Sequence, residues 1–168
     1  MTYQEALDWM AASRTRGILP GLSRISRLLA ILGNPQNGLL IVHVAGTNGK
    51  GSVCACLTSA LQAGGHRTGF FSSPPLLEPE EMFRVDGQTI TKARYAQAVD
   101  AMQVATKDMC GDPGLPTEYE LYAAMAFWLF QQEKCAVVVL ETCMGGRYDT
   151  TNAYAGQNLA VLTSISLD

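Results

Sequence analysis

The sequence predicts an α/β fold of the P-loop NTPase-like type, in which helices flank a doubly wound, mainly parallel sheet. Short apolar runs typical of buried strands alternate with segments of helical periodicity, as such a sheet requires. A glycine-rich stretch with a lysine follows the first apolar run and opens a helix, which is the place of a phosphate-binding loop. The 168 residues are 48% hydrophobic and 16% charged, so the chain can bury a substantial core.

Two short helices are predicted in a helical lead-in over residues 1–37, ahead of an α/β core over residues 38–168. The first helix covers residues 3–13, and the second covers residues 22–32 with an apolar stripe at helical spacing. Pro20 and Gly21 separate the two helices as a turn.

Four apolar runs in the core predict buried strands, and the first is continuous enough for a central strand covered on both faces. The strands are predicted at residues 39–45, 68–72, 136–140 and 159–163. The alternating helices are predicted at residues 50–63, 91–109 and 117–133, and Thr117 with Glu120 fits a capping box. Loops are expected at residues 73–83, 110–116 and 142–158, and a turn or hairpin at residues 84–88.

The chain stops at Asp168, directly after the fourth predicted strand, and no helix follows to return over the sheet. We therefore expect the 168 residues to be an incomplete, N-terminal part of a longer protein.

Composition excludes several classes of partner. Twelve basic and fifteen acidic residues give a net charge of -3, which argues against a nucleic-acid surface. No apolar run is long enough to span a bilayer, and the N-terminus lacks the basic start and apolar stretch of a signal peptide. We therefore expect a cytoplasmic protein. The five cysteines form no CxxC pair and are expected to be small buried apolar side chains.

The strongest local signal is the stretch Gly46-Thr47-Asn48-Gly49-Lys50-Gly51-Ser52. Its glycines let backbone N–H groups converge on phosphate oxygens, and the helix N-terminus adds a partial positive charge. Lys50 supplies a full charge for the β- and γ-phosphates, and the Ser52 hydroxyl can bind Mg²⁺. Gly51 separates Lys50 from Ser52, whereas the strict Walker pattern has Ser or Thr directly after the lysine, so a common kinase or GTPase is disfavoured.

Further candidates lie after the third predicted strand. Glu141 ends that strand, where an unpaired charge is costly to bury and where the crevice of a parallel sheet is expected. Gly145-Gly146 would let the backbone approach a ligand, and Asp149 and Asn152 follow in a polar loop, with ordinary turn formation as the alternative. His43, inside the first strand, is expected to be a hydrogen-bonded core histidine rather than a metal ligand.

These residues resemble the folylpolyglutamate synthase/dihydrofolate synthase family, within the Mur ligase superfamily. The stretch from Val42 to Ser52 is similar to the family's ATP loop, and Gly51 favours this branch over other Mur-type ligases. The further stretches that resemble the family are residues 17–25, 32–36, 71–74 and 139–152. The resemblance identifies the chain as a truncated central ATP-binding domain, without the C-terminal glutamate-binding domain.

The resemblance implies a ligase with ATP and Mg²⁺ as cofactors and with small-molecule substrates. MgATP would phosphorylate a carboxylate of folate or dihydropteroate, and the amine of L-glutamate would attack the acyl phosphate to form an amide. The 168 residues alone are not expected to complete this reaction, because the C-terminal domain is absent. The full-length protein is expected to be a monomer.

The resemblance also implies site residues. Lys50 and Glu141 would be catalytic, and Ser52 and Glu141 would bind Mg²⁺. ATP would be bound by Gly46, Thr47, Asn48, Gly49, Lys50, Gly51, Ser52 and Asn152. The substrate would be bound by Ser73, Pro74, Arg84 and Asp149.

The loop over residues 73–83 departs from the family pattern, since it is shorter and more acidic and has Glu81-Met82 in place of a Glu-Arg pair. Two alternatives therefore stay open. One is another Mur-like ligase that joins a different carboxylate to an amino acid, and the other is a nucleotide-binding module without catalysis.

Overall fold

Six strands form one sheet with helices on both faces, in a computed structural model that describes residues 1–17, 19–109, 111, 114–154 and 159–166. The strands are β1 (Leu40–Ala45), β2 (Thr68–Phe71), β3 (Phe83–Val85), β4 (Gln88–Thr89), β5 (Val137–Glu141) and β6 (Leu159–Leu162). Their order across the sheet is β4-β3-β2-β5-β1-β6. Strands β2, β5, β1 and β6 are parallel to one another. Strands β3 and β4 form an antiparallel hairpin at one edge, next to β2.

The described residues contain five α-helices, which are α1 (Tyr3–Ser13), α2 (Ser23–Ile31), α3 (Lys50–Ala63), α4 (Lys92–Thr106) and α5 (Glu118–Gln132). The side chains of alternate strand residues point to opposite faces. Val42, Val44 and Val139 pack against α3 on one face, while Ile41, Val138 and Leu140 join the larger core with the other four helices. The doubly wound, mainly parallel fold expected from the sequence is therefore confirmed.

Side-chain caps define where several helices begin. Thr117 and Glu120 form the predicted capping box at the start of α5, with the Glu120 N–H donating to Thr117 Oγ1 and the Thr117 N–H donating to Glu120 Oε2. Thr2 and Glu5 form the same box at α1. The hairpin predicted at residues 84–88 is also present, as β3 and β4.

The prediction that the fourth strand is buried is wrong. β6 lies at the outer edge of the sheet next to β1, and Leu159 and Leu162 are 58% and 70% exposed. An edge strand has a neighbour on one side only, so its apolar composition does not ensure burial. The expected loops also contain regular structure, because short 3-10 helices span Pro79–Met82 and Thr150–Asn152.

The cysteines match their prediction only in part. Cys54 and Cys135 are buried, whereas Cys56 and Cys143 are exposed, and all four are free thiols. Cys110 lies outside the described residues. None of the helices in the described ranges is long and apolar enough to cross a membrane.

Candidate active site

The glycine-rich loop joins β1 to α3 at the carboxyl edge of the sheet. Gly46 has φ of 140°, and a Cβ there would lie 2.0 Å from Thr163 Oγ1, so neither the backbone nor the space admits a side chain. Gly49 has φ of 83° and is the N-cap of α3. The two glycines therefore allow the loop to turn tightly into the helix.

A brace from the end of β6 holds this loop. Thr47 N–H donates to the Ser164 carbonyl over 2.9 Å, and Thr47 Oγ1 accepts from the Ser166 N–H over 3.2 Å. Asn48 and Ser164 form an antiparallel bridge. No sequence signal indicates this brace, because a serine near a strand end does not show which distant backbone it will contact.

Lys50 is the first residue of α3, and its side chain lies back across its own loop. Lys50 Nζ donates to the Gly46 carbonyl over 2.8 Å and to the Thr47 carbonyl over 3.1 Å. The half-buried ammonium is therefore held beside the loop backbone, where carbonyl oxygens satisfy two of its three donors.

Glu141 ends β5 and lies against the first turn of α3. A Cβ on Gly51 would be 3.8 Å from each carboxylate oxygen of Glu141. Partial burial raises the pKa of the Glu141 carboxyl, and the charge of Lys50 opposes that rise. Ser52, also in this first turn, is exposed. The structure thus brings Lys50, Gly51 and Glu141 together, with the Ser52 hydroxyl one residue further along the helix.

A cleft of about 350 Å³ opens beside the loop. Gly46 and Thr47 line one side, and Gly145, Gly146 and Arg147 line another. The Asn152 amide donates to the Arg147 carbonyl over 3.0 Å, so Asn152 supports this second loop through its backbone. The cleft is therefore bounded by two glycine-bearing loops, at the edge where parallel α/β sheets bind ligands.

Asp149 is 3% exposed and organises the loop that follows β5. Its Oδ2 accepts from the N–H groups of Cys143 and Met144, both over 2.8 Å. Its Oδ1 accepts from the N–H of Thr151 over 2.9 Å and from the hydroxyl of Thr151 over 2.6 Å. Both carboxylate oxygens are thus bonded within the protein, which makes Asp149 a support for the loop rather than a free polar contact.

His43 is a hydrogen-bonded core histidine, as predicted. Its Nε2 lies 2.7 Å from Thr151 Oγ1, and its ring packs edge-on against Tyr154 with 5.7 Å between the ring centroids. Burial lowers the pKa of His43, while the charge of Asp149 raises it. Within the described residues, no cluster of three or more His, Cys, Asp or Glu side chains could hold a metal ion.

Two smaller cavities flank Tyr119 and Cys143. The first cavity, of about 160 Å³, has Leu19 and Pro20 of the lead-in on one side and Tyr148 and Asp149 among its other lining residues. The second cavity, of about 340 Å³, is lined by Ser73, Pro74, Met82 and Tyr122, besides Tyr119 and Cys143. The structure therefore places Asp149 and the Ser73-Pro74 pair on neighbouring cavities that share two walls.

Arg84 does not line the cavity that Ser73 and Pro74 line. Its guanidinium carbon lies 5.9 Å from the centroid of the Phe70 ring, to which it is paired across β2 and β3. Phe83, the preceding residue, points to the opposite face and is fully buried in the larger core. The alternation of β3 therefore separates Arg84 from the second cavity.

Almost the whole chain is similar to a curated protein. A Bacillus subtilis protein described as a dihydrofolate synthase/folylpolyglutamate synthase is 39% identical over 169 residues, which cover 99% of this chain and 39% of that protein. No protein-family model matches the chain. The chain thus spans about two fifths of the length of that relative.

Two solved structures extend the comparison to bound ligands. Escherichia coli FolC in complex with DHPP and ADP superposes with a TM-score of 0.88 at 35% identity, over 97% of this chain and 39% of that one. An FPGS–AMPPCP–folate complex superposes with a TM-score of 0.89 at 32% identity, over 100% of this chain and 41% of that one.

Proposed function

Because the chain belongs to the folylpolyglutamate synthase/dihydrofolate synthase family, we propose that it forms the ATP-binding part of a ligase that joins a folate or dihydropteroate carboxylate to L-glutamate. The chain covers 39% of the B. subtilis relative, so we propose the activity for the longer protein. The observation that carries the proposal is the position of Glu141 at the end of β5, against the first turn of α3 that contains Lys50, beside the cleft between the two glycine-bearing loops.

The phosphates of ATP bind at the N-terminus of α3. The free N–H groups and the partial positive charge of a helix N-terminus favour anions. In this structure Lys50 Nζ donates to two loop carbonyls. A phosphate oxygen at the helix N-terminus is a stronger acceptor for Lys50, because it is charged. Lys50 therefore exchanges a neutral acceptor for a phosphate when ATP binds.

Ser52 and Glu141 are the residues that would hold Mg²⁺. A hydroxyl and a carboxylate are oxygen donors, and Mg²⁺ in nucleotide sites is held by one or two carboxylates together with phosphates and water. The raised pKa of Glu141 fits this role, because a partly desolvated carboxylate is stabilised by a nearby cation. When bound, Mg²⁺ would neutralise phosphate charge.

The carboxylate substrate occupies the two cavities that flank Tyr119 and Cys143. Their walls combine aromatic and aliphatic side chains with a few polar atoms, as sites for flat organic ligands do. Ser73 and Pro74 contact the substrate in the second cavity. Asp149 acts through the backbone of Cys143 and Met144, whose N–H groups it holds.

The reaction has two substitutions. An oxygen of the substrate carboxylate attacks the γ-phosphorus of ATP and ADP leaves, which yields an acyl phosphate. The amine of L-glutamate then attacks the acyl carbon, loses a proton, and expels inorganic phosphate as the amide forms. Residues of this chain position the phosphates and offset their charge, which is the main requirement of phosphoryl transfer.

The acidic loop over residues 73–83 does not favour a different carboxylate substrate. Glu81 accepts hydrogen bonds from the N–H groups of Leu76 and Leu77, over 3.0 and 3.1 Å. Glu80 is 6% exposed and accepts from the Tyr3 hydroxyl over 2.7 Å. Two of the three acidic side chains in the loop therefore serve the fold, so most of its acidity gives no reason to replace folate by another ligand.

The test is to measure ATP-dependent phosphate release by the full-length protein, with dihydropteroate or tetrahydrofolate plus L-glutamate as co-substrates. Turnover should require both co-substrates and fall about 100-fold or more in Lys50→Ala, because one preorganised charge is removed. Lys134→Ala, which changes an exposed lysine two residues after the end of α5, is the matched control and should keep full activity. MgATP binding without turnover on either folate would contradict the proposal.

We also propose that the protein acts in the cytoplasm as a monomer. Four free thiols among the described cysteines suit a reducing compartment. Dihydropteroate, folate, ATP and L-glutamate are its proposed small-molecule partners.

A further inference from the structure

Three arginines of the lead-in converge on the first turn of α5. Arg14 Nε donates to Glu118 Oε1 over 2.9 Å, and Arg24 Nε donates to Glu120 Oε2 over 3.0 Å. Arg16 donates to the Pro116 carbonyl. We name Arg14, Arg16 and Arg24 the arginine clasp, since together they fasten residues 14–17 and 19–24 to one helix N-terminus.

The innermost pair of the clasp is buried. The side chains of Arg24 and Glu120 are 10% and 2% exposed. Glu120 Oε2 also accepts the N–H of Thr117 over 2.7 Å, so the same oxygen closes the capping box of α5. Arg24 uses a second nitrogen, Nη2, to donate to the Leu19 carbonyl. One guanidinium therefore links the cap of α5 to the turn between α1 and α2.

The turn that Arg24 holds is a wall of the first cavity. Gly17, Leu19 and Pro20 line it, together with Tyr119 and Tyr148. Leu19 is 49% exposed, so core packing does not fix its position. The hydrogen bond from Arg24 to the Leu19 carbonyl therefore restrains the position of this turn.

We propose that Arg24 is a positioning residue that sets the width of the first cavity and thereby the affinity for the ring system of the carboxylate substrate. This inference rests on the proposed function, because it takes a folate or dihydropteroate as the occupant of that cavity. Arg24 touches neither substrate nor nucleotide. It acts through the Leu19 backbone on one side and through the Thr117–Glu120 cap on the other.

A lysine cannot replace this arginine. The guanidinium is a planar fork whose separate nitrogens donate to Glu120 and to the Leu19 carbonyl at fixed angles. An ammonium at the end of a flexible stem keeps the charge next to Glu120 but lacks that geometry. Arg24→Lys therefore releases the turn without leaving an unpaired buried carboxylate.

The experiment compares Arg24→Lys with wild type in the full protein, measuring kcat and the KM values for dihydropteroate and MgATP. The KM for dihydropteroate should rise about tenfold, and the KM for MgATP should stay within about twofold, because the partners of Arg24, Leu19 and Glu120, do not line the cleft beside the glycine-rich loop. The matched control is Arg67→Lys. Arg67 binds the side chain and the carbonyl of Glu133 at the other end of α5, and its replacement should leave both KM values unchanged.

Equal rises in both KM values, or no rise for dihydropteroate, would overturn the inference. If Arg24→Lys does not fold, Leu19→Ala is tested instead. This change shortens a side chain that lines the first cavity, and it should raise only the KM for dihydropteroate. No change in that KM would count equally against the proposal.

Hydrogen exchange separates this inference from the proposed function. If wild type turns over neither folate, the proposed function fails, and amide exchange of residues 17–22 then decides the role of the clasp. Faster exchange there in Arg24→Lys, but not in Arg67→Lys, would support the restraint. Identical exchange in all three proteins would refute it.

Discussion

The hydroxyl of Thr151 lies 2.7 Å from His43 Nε2 and 2.6 Å from Asp149 Oδ1. A hydroxyl has one proton, so its donation to the carboxylate makes His43 Nε2 the donor to Thr151 Oγ1. The chain of bonds connects β1, the strand that leads into the glycine-rich loop, with the loop that borders the two cavities beside Tyr119. Thr151 thereby couples two parts of the candidate site that the sequence separates by more than 100 residues.

Asp149→Asn should destabilise the protein and weaken the binding of the carboxylate substrate. The amide places an NH₂ group where a carboxylate oxygen now accepts from backbone N–H groups, so donors would face donors. We expect the free energy of unfolding to fall by about 2–4 kcal/mol, as for lost hydrogen bonds to a buried charged group. Denaturant unfolding measures this change.

The comparison for Asp149→Asn is Asn152→Ala, which removes one hydrogen bond to the Arg147 carbonyl. It should cost about 1 kcal/mol or less. Equal losses for the two variants would show that Asp149 has no special structural role.

Gly46→Ala should distort the phosphate loop and raise the KM for MgATP. The new methyl group would overlap Thr163 Oγ1, which lies 2.0 Å from its ideal position, and φ of 140° adds strain. We expect a loss of about 1–3 kcal/mol in the free energy of unfolding, the usual range for such backbone strain. Thermal unfolding and MgATP titration measure the two effects.

Gly146→Ala is the control for Gly46→Ala, because its Cβ would lie 3.6 Å from the Ala45 Cβ, an ordinary contact. It should leave the stability nearly unchanged. Gly46→Ala combined with Thr163→Ala should recover part of the loss, and an unaltered deficit in the double variant would argue against the Thr163 clash as its cause.

Glu141→Gln should change the pH dependence of stability measured without Mg²⁺. The pKa of Glu141 is raised in the folded protein by burial, so the folded state favours the protonated form. The stability that protonation of Glu141 gives to the folded state is therefore fully present below its ordinary pKa of about 4.3. This stability is lost as the pH rises through the pKa of Glu141 in the folded protein. Glutamine does not ionise, and the variant should be more stable than wild type at neutral pH.

Thermal unfolding at several pH values tests this sign. The difference between Glu141→Gln and wild type should shrink as the pH falls toward about 4. A variant that is less stable than wild type at neutral pH, without Mg²⁺, would mean that Lys50 stabilises the carboxylate by more than burial costs. Added Mg²⁺ should stabilise only the wild type.

Local signals predicted much of the fold. The helices α1 and α3 begin and end at the residues expected, and the capping box at Thr117 begins α5 as expected. The position of the glycine-rich loop between β1 and α3 is also confirmed, and it was predictable because its glycines, lysine and serine are contiguous. These features depend on neighbours within a few residues, which is the range over which a sequence pattern carries information.

The rest depends on contacts between distant residues. The insertion of β5 between β1 and β2, the exposure of β6 and the inward carboxylate of Asp149 follow from how whole elements pack. The same holds for Arg24, whose partner Glu120 is 96 residues away. A polar residue in a loop has the same local pattern whether it contacts a ligand or holds a backbone, so its role appears only in the tertiary structure.

The brace on the phosphate loop has a consequence for biosynthesis. Thr47 and Ser166 are 119 residues apart, so a nascent chain carries the complete motif from Gly46 to Ser52 long before the strand that shapes it has left the ribosome. A contact of such high sequence separation needs both segments to be present, and closing the long loop between them costs chain entropy. If the loop binds ATP as proposed, we therefore expect a nascent chain to bind MgATP only once β6 has been added to the sheet.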